Sequence, residues 1–454
     1  METMTMRKTN LIALVLAFTL VLLSLLGAAG AEGLRDCHRV TLEKVDETQA
    51  NKSIVRVWRP TTALSSVTEE LTAIEDAYVA DIAPTLPKGG NATSSSSRVD
   101  VEIRYSRTGL SWMSFVIQAR VSYHRKLTSQ SFTTRTYDME SGERITMRDL
   151  FEDDSPAWRV IAQEVRRQLS AYFPSEIADE AALDELCTLE ALQAAEFSLH
   201  GYSLVLHYPS ELLYPDHHTL MEVTVMYGSI HDDMQEEAQI QTDNLSYYKT
   251  CALTFDDGPV RTNTTLVLQS LMQEGCRATF FVVGNRISSY EDLVQREHDE
   301  GHAVAMHNWH HGNVSKSSGA ALRAMKEKCD SALIKAIGIP ARYDRVPYGL
   351  YHQMISAKAG WPYIQWSLDT YDWRGLSTAT VLSEVKRQIQ DGDIILCHDI
   401  KDNTPASAQK ICEYLTENGY MLLTIDELFA KDGITLENEK VYFRCADGDT
   451  SIKK

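Results

Sequence analysis

None of the eight cysteines forms a Cys-x-x-Cys pair, which argues against a zinc ribbon or a thioredoxin-type redox site. Positive charge is in deficit: 44 Lys and Arg face 63 Asp and Glu, for a net charge of −19 and a pI near 5.2. A surface of that sign repels phosphate backbones, so no nucleic-acid partner is expected, and the acidity reads as a solubility device. No apolar run has the full length of a membrane span. The one that comes nearest, Leu11 to Leu26, follows Arg7 and Lys8 and gives way to the small residues GAAGAEG. A basic start, a short apolar stretch and small residues describe a secretory signal over 1–31, with a break after Ala31 that uses Ala29 and Ala31. The trailing small residues extend the run to about 20, so the same segment also fits an uncleaved membrane anchor. Both readings put the rest of the chain outside the cytoplasm, either secreted or held on the outer face of the cell membrane. Export permits disulfides. Cys251 and Cys397 nevertheless lie in apolar strand-like runs and read as core thiols.

With 454 residues, 44 % apolar and 24 % charged, the chain is long enough for two globular domains. Residues 32–230 read as a smaller α+β domain. SIVRVW (53–58) is strand-like, 65–82 helical, and PKGGNATSSSS (87–97) a flexible loop. Val99, Val101, Ile103 and Tyr105 alternate with Asp100, Glu102 and Arg104, which predicts a half-buried strand with 110–123 as its hairpin partner. Trp158, Ile161, Val165 and Leu169 recur at helical spacing, so 156–172 is an expected amphipathic helix. Residues 231–245 are polar and acidic and read as a linker, and 433–454 as a C-terminal tail. Between them, over 246–432, seven short apolar runs alternate with helix-length segments: CALTF, ATFFVV, HAVAM, RYDRV, YIQWSL, DIILC and YMLLTI. That rhythm predicts an α/β fold on a parallel sheet, open or closed into a barrel, with functional groups at the carboxyl ends of the strands.

Chemistry-bearing residues stand at five of those ends. CALTF runs into Asp256 and Asp257, adjacent carboxylates that repel one another unless a cation or proton lies between them. HAVAM runs into His307 and His311, an i, i+4 pair able to share a metal. RYDRV carries Arg345 before Pro347 and Tyr348, YIQWSL leads to Asp369, Asp372 and Trp373, and DIILC ends at Leu396 and His398. Turn formation, a helix cap or a packed histidine explains each cluster singly; five successive strand ends are not explained that way. Two histidines and one carboxylate leave open positions on a metal, as a catalytic site requires.

TFDDGP (254–259), HNWHH (307–311), RVPYG (345–349), DTYDW (369–373) and LCHD (396–399) resemble, in order, the five motifs of the polysaccharide deacetylases, which act on chitin, peptidoglycan and acetylxylan. The resemblance implies a distorted (β/α) barrel of about seven strands. It implies one divalent metal on Asp257, His307 and His311, with zinc the first expectation and cobalt or manganese the alternatives. It gives Asp256 as general base, Arg345 as its orienting partner, and His398 as general acid tuned by Asp372. The Tyr348 backbone N–H would face the oxyanion, and Trp373 and Leu396 would line the acetyl pocket. Asn308 departs from the Ser or Thr usual after the first histidine of the second motif. The segment 136–151 before an amphipathic helix resembles an extracellular module found ahead of some bacterial peptidoglycan deacetylases and in some anti-sigma factors.

The expected function is removal of N-acetyl groups from an amino-sugar polysaccharide, peptidoglycan first. Chitooligosaccharide and acetylxylan are the alternatives within the class. A non-catalytic wall-glycan-binding protein is the alternative outside it, and loss of a ligand or base would favour it; none is lost. A two-His-one-carboxylate iron oxygenase lacks a reason for the adjacent Asp pair, the Arg-x-Pro or the distal histidine.

Overall fold

The computed structural model describes residues 33–49, 53–86, 97–314, 316–352 and 359–445. The expected signal or anchor over 1–31, the Gly/Ser loop at 87–96 and the last residues of the tail lie outside the described residues. Among the described residues no helix is long and apolar enough to cross a membrane.

The N-terminal half is α+β. Strands β1 (Val40–Thr48), β2 (Ile54–Thr62), β3 (Arg98–Thr108), β4 (Trp112–Tyr123), β5 (Lys126–Asp138) and β6 (Arg144–Ile145) form one sheet in that order. The helix Ser65–Ile82 packs on it through Val67 and Leu71. β3 and β4 form the expected hairpin, with Val99 opposite Val121 and Ile103 opposite Ile117. The helix Ala157–Leu169 buries Trp158, Ile161, Val165 and Leu169, the stripe its spacing predicts. It covers a second sheet of β7 (Phe197–Leu199), β8 (Ser203–Pro209) and β9 (Leu220–Met226). One face of β3 differs from the expected pattern. Asp100 and Glu102 are not solvated but 7 % and 5 % exposed. They lie among arginines, Glu102 accepting from Arg296 of the C-terminal half at 3.2 Å.

The C-terminal half curls a parallel sheet into a barrel-like α/β fold. β10 (Lys249–Asp256) lies at its centre, flanked by β11 (Thr279–Val282) and β15 (Asp393–His398). β12 (Ala303–Met306) and β14 (Leu368–Asp369) lie outside these, giving the order β12-β11-β10-β15-β14. β16 (Tyr420–Leu422) pairs with the first residues of β10. Two of the seven expected strands are reduced. RYDRV contributes only Asp344, bridging Met306 and Tyr363, and YIQWSL breaks into β13 (Tyr363–Ile364) and β14. Arg345 lies beside this break, its guanidinium donating to the carbonyls of Ile364 and Gln365. After residue 432 the chain continues into β17 (Val441–Tyr442), which pairs with β13 and carries buried Val441, Tyr442 and Cys445. Residues 231–245 are largely helical: Glu236–Thr242 is a helix, and buried Gln241 accepts the Leu110 and Ser111 amides. All eight cysteines are free thiols, and Cys251 and Cys397 are buried in the core under the helices.

Candidate active site

Strand alternation sorts the barrel into two faces. On β10, Cys251, Leu253 and Phe255 point into the core beneath the helices, as do Ile395 and Cys397 on β15. The intervening residues point inward: Ala252, Phe281, Ala305 and Ile394 form the inner apolar cluster. Continuing that phase to the strand ends puts Thr254, Asp256, His307, Leu396 and His398 on the inner face. The charged residues are thus the last rungs of an apolar ladder, where the barrel opens.

Asp256 is 2 % exposed and accepts from Arg345 Nη1 at 2.7 Å. Arg345 is fully buried. Its other donors go to Thr254 Oγ1 (2.7 Å) and to the Ile364 and Gln365 carbonyls (3.1 and 3.0 Å), and its plane lies 3.9 Å from the centre of the Phe281 ring. Burial works to lower its pKa, and Asp256 is the charge that opposes this.

The backbone turns sharply after each of the first two motifs' leading residues. Asp257 (φ +78°), Asn308 (φ +63°) and His311 (φ +53°) are left-handed, and these turns accompany the convergence of the Asp257, His307 and His311 side chains. Asn308 Oδ1 accepts its neighbour's amide (Trp309 N, 2.6 Å), so the Asn in place of Ser or Thr still ties the loop. One atom each from Asp257, His307 and His311 lie within 4.8 Å of one another. His307 Nδ1 contacts the Arg345 carbonyl at 2.8 Å and must donate to it, which leaves Nε2 as a lone pair. Asp257 Oδ1 is 3.0 Å from His311 Nε2 and 3.5 Å from His307 Nε2. Even so, this buried oxygen makes no hydrogen bond of acceptable geometry. Lone-pair donors that converge without bonding one another are what a divalent cation satisfies, so these residues fit a metal.

Across the opening, His398 Nδ1 lies 2.8 Å from Asp372 Oδ1, and its backbone N–H donates to Oδ2 at 2.7 Å. Thr404 Oγ1 donates to the same Oδ2, and Asp372 is fully buried. The imidazole is therefore fixed with Nε2 free. Burial works to lower the His398 pKa, yet Asp372 raises it above the usual histidine value. Tyr348 (φ +60°) is 64 % exposed, its ring 4.7 Å from that of His311. Trp373 is 45 % exposed, with Nε1 toward Asp369 Oδ2 at 3.4 Å, while Leu396 is 3 % exposed. Every residue singled out in the sequence thus lies at or beside this opening.

Several supporting residues carried no signal: Thr254 under Arg345, and Thr404 and Asn403 under Asp372. Asp399 had one, its place next to His398. It is fully buried, accepts from Thr264, and burial pushes its carboxyl up to about 7.

Residues 246–363 match the family described as polysaccharide deacetylase. Over 199 residues the chain is 38 % identical to the peptidoglycan-N-acetylglucosamine deacetylase of Listeria monocytogenes, covering 44 % of this chain and 42 % of that protein. Over 182 residues it is 34 % identical to the peptidoglycan-N-acetylmuramic acid deacetylase of Bacillus subtilis, covering 40 % and 38 %. The match thus spans less than half the length of either relative. A chitooligosaccharide deacetylase of a Bradyrhizobium species is 36 % identical over 167 residues, which cover 34 % of this chain and 73 % of that protein.

Proposed function

We propose that this chain, a member of the polysaccharide deacetylase family, is an extracytoplasmic metal-dependent hydrolase removing N-acetyl groups from peptidoglycan. The observation that carries this is one opening holding the Asp257–His307–His311 donor set, the Arg345-bound Asp256 and the Asp372-bound His398. Peptidoglycan comes first because two of the relatives act on it by name. Chitooligosaccharide follows, from a relative of which 73 % is covered.

Asp257, His307 and His311 would hold the divalent ion, zinc in the first instance, with cobalt or manganese as alternatives. Such an ion supplies Lewis acidity, polarising a carbonyl and making water acidic near neutral pH. Asp256 accepts the water proton at Oδ2, the oxygen Arg345 Nη1 does not hold. Arg345 holds that carboxylate in place through its 2.7 Å contact with Oδ1. His398, with Nδ1 tied to Asp372, delivers a proton from Nε2 to the departing amine. The Tyr348 N–H donates to the developing oxyanion, and Trp373 and Leu396 bound the space for the acetyl methyl. The N-terminal segment exports the chain or anchors it to the outer face of the membrane, and the α+β domain positions the enzyme on the wall.

Acetate release from peptidoglycan, chitooligosaccharide and acetylxylan, compared on one preparation, tests the reading. Release from peptidoglycan at the highest kcat/KM supports it. Preference for either other polymer reassigns the substrate, and release from none removes the activity.

A further inference from the structure

We propose that Arg374 forms a carboxylate-binding subsite at the lip of the active site, so that the enzyme favours acidic amino-sugar polymers over neutral ones. The inference rests on the deacetylase reading and adds a charge requirement to its substrate.

Arg374 is exposed and makes no ion pair among the described residues. Five other arginines of this half are paired, Arg261 with Asp292, Arg277 with Glu427, Arg342 with Asp426, Arg387 with Glu384 and Arg444 with Asp393, while Arg286, like Arg374, has no ion pair among the described residues. An unpaired arginine is unexpected in a chain with a net charge of −19. Arg374 is instead held by rings, its guanidinium carbon 4.4 Å from the Tyr371 centroid and 4.7 Å from that of Trp373. Aromatic faces attract the cation but accept no conventional hydrogen bond. The five N–H groups keep their planar fork, oriented in advance and available to a bidentate carboxylate.

The loop holding this fork is fixed and adjacent to the chemistry. Asp369 accepts the Tyr371 amide at 2.8 Å and faces Trp373 Nε1 through its other oxygen. Tyr371 and Gly375 both take left-handed backbone angles, which bring Arg374 back over the two rings. Between the rings in sequence lies Asp372, the residue that holds His398. The opening also collects five carboxylates: Asp256, Asp257, Asp369, Asp372 and Asp399. The buried cation nearest them, Arg345, is committed to Asp256. Arg374 adds an exposed cation on the loop next to Asp372, where it can meet an anionic polymer. In a wall glycan the matching group is the lactyl carboxylate of a muramic acid residue or a carboxylate of its peptide.

Steady-state acetate release from three substrates tests this: a neutral N-acetylglucosamine oligomer, peptide-free glycan strands bearing lactyl carboxylates, and peptide-bearing strands. Arg374→Ala is expected to raise KM about tenfold on one or both acidic substrates, the loss of roughly one charge-assisted contact. kcat there stays within about twofold, and both constants stay unchanged on the neutral oligomer. Arg374→Lys, which keeps the charge and loses the fork, falls between. A KM rise on peptide-free strands assigns the lactyl group, and a rise only on peptide-bearing strands assigns the peptide. An equal change on neutral and acidic substrates shows that the guanidinium only braces the loop, and overturns the subsite; so does no change on any. Wild-type release from the neutral oligomer separately establishes the deacetylase reading, and its absence on all three overturns both.

Discussion

Arg345 makes four hydrogen bonds from a site with no solvent exposure, and one of them neutralises Asp256. Arg345→Ala leaves a buried carboxylate without its partner, so a loss of about 3–5 kcal/mol is expected in urea unfolding. Activity falls with it. His398 gives a prediction of a different kind. Because Asp372 raises its pKa, the proton is held to a higher pH in the folded chain than in the unfolded one. Its stabilising contribution is full below the unfolded value, about 6.5, and fades as pH rises through the folded value. As the proton donor, His398 also sets the alkaline limb of kcat/KM. Asp372→Asn removes the charge that raises it, so the limb moves to lower pH and kcat drops; an unmoved limb excludes His398 as the acid. These residues were readable in the sequence because each stands alone at the end of an apolar run. Thr254, Asn403 and Thr404 were not, since a threonine or asparagine that donates one internal hydrogen bond looks like any other until its partner is known.

Between β10 and its helix the chain passes through Gly258, and a Cβ there would run into the Asp399 carboxylate. Asp399 follows β15, so this contact locks the first and fifth motifs together. Gly258→Ala is expected to cost about 1–3 kcal/mol, the range for a forced close contact. It also displaces Asp257, weakening divalent-metal binding in calorimetric titration. Asp399→Ala in the same chain opens the space and restores part of both. No recovery in the double variant places the strain elsewhere. At this scale, period-2 and helical patterns located β3, β4, β10, β11, β15 and the helix Ala157–Leu169. They overstated RYDRV and YIQWSL, where the pairing reduces to a bridge at Asp344 and to the two-residue strands Tyr363–Ile364 and Leu368–Asp369. They also left out β17, whose two paired residues are too few to make a pattern.

The two halves meet through charges that the alternation of β3 had assigned to water. Arg296 donates to Glu102 (3.2 Å) and Glu300 (2.6 Å), and Arg120 lies 3.6 Å from Glu300. Burial works against the Arg296 charge, but Glu102 and Glu300 raise its pKa above the ordinary value. Arg296→Ala removes one member of a buried network, with about 3–5 kcal/mol lost. The wild-type chain, joined this way, is expected to unfold in a single calorimetric transition; two separate transitions would show that the halves are thermodynamically independent. A polar strand face facing solvent and one facing a charged neighbour have the same sequence signature, so the contact was not legible beforehand. Residues 231–245 show the same effect, their polar groups being spent on contacts such as Gln241 with Leu110 and Ser111.

If the Asp257–His307–His311 set holds a metal while Asp256 moves the proton, the two roles come apart in single variants. Metal content and acetate release from peptidoglycan would be measured on the wild-type chain, on Asp256→Asn and on His311→Ala. Asp256→Asn is expected to keep its metal but lose at least about a hundredfold in kcat, the scale of a positioned proton-transfer group. His311→Ala is expected to lose metal and activity together, as chelated wild type does until metal is returned. Undiminished release from Asp256→Asn, or from wild-type chain stripped of metal, would overturn this division of roles.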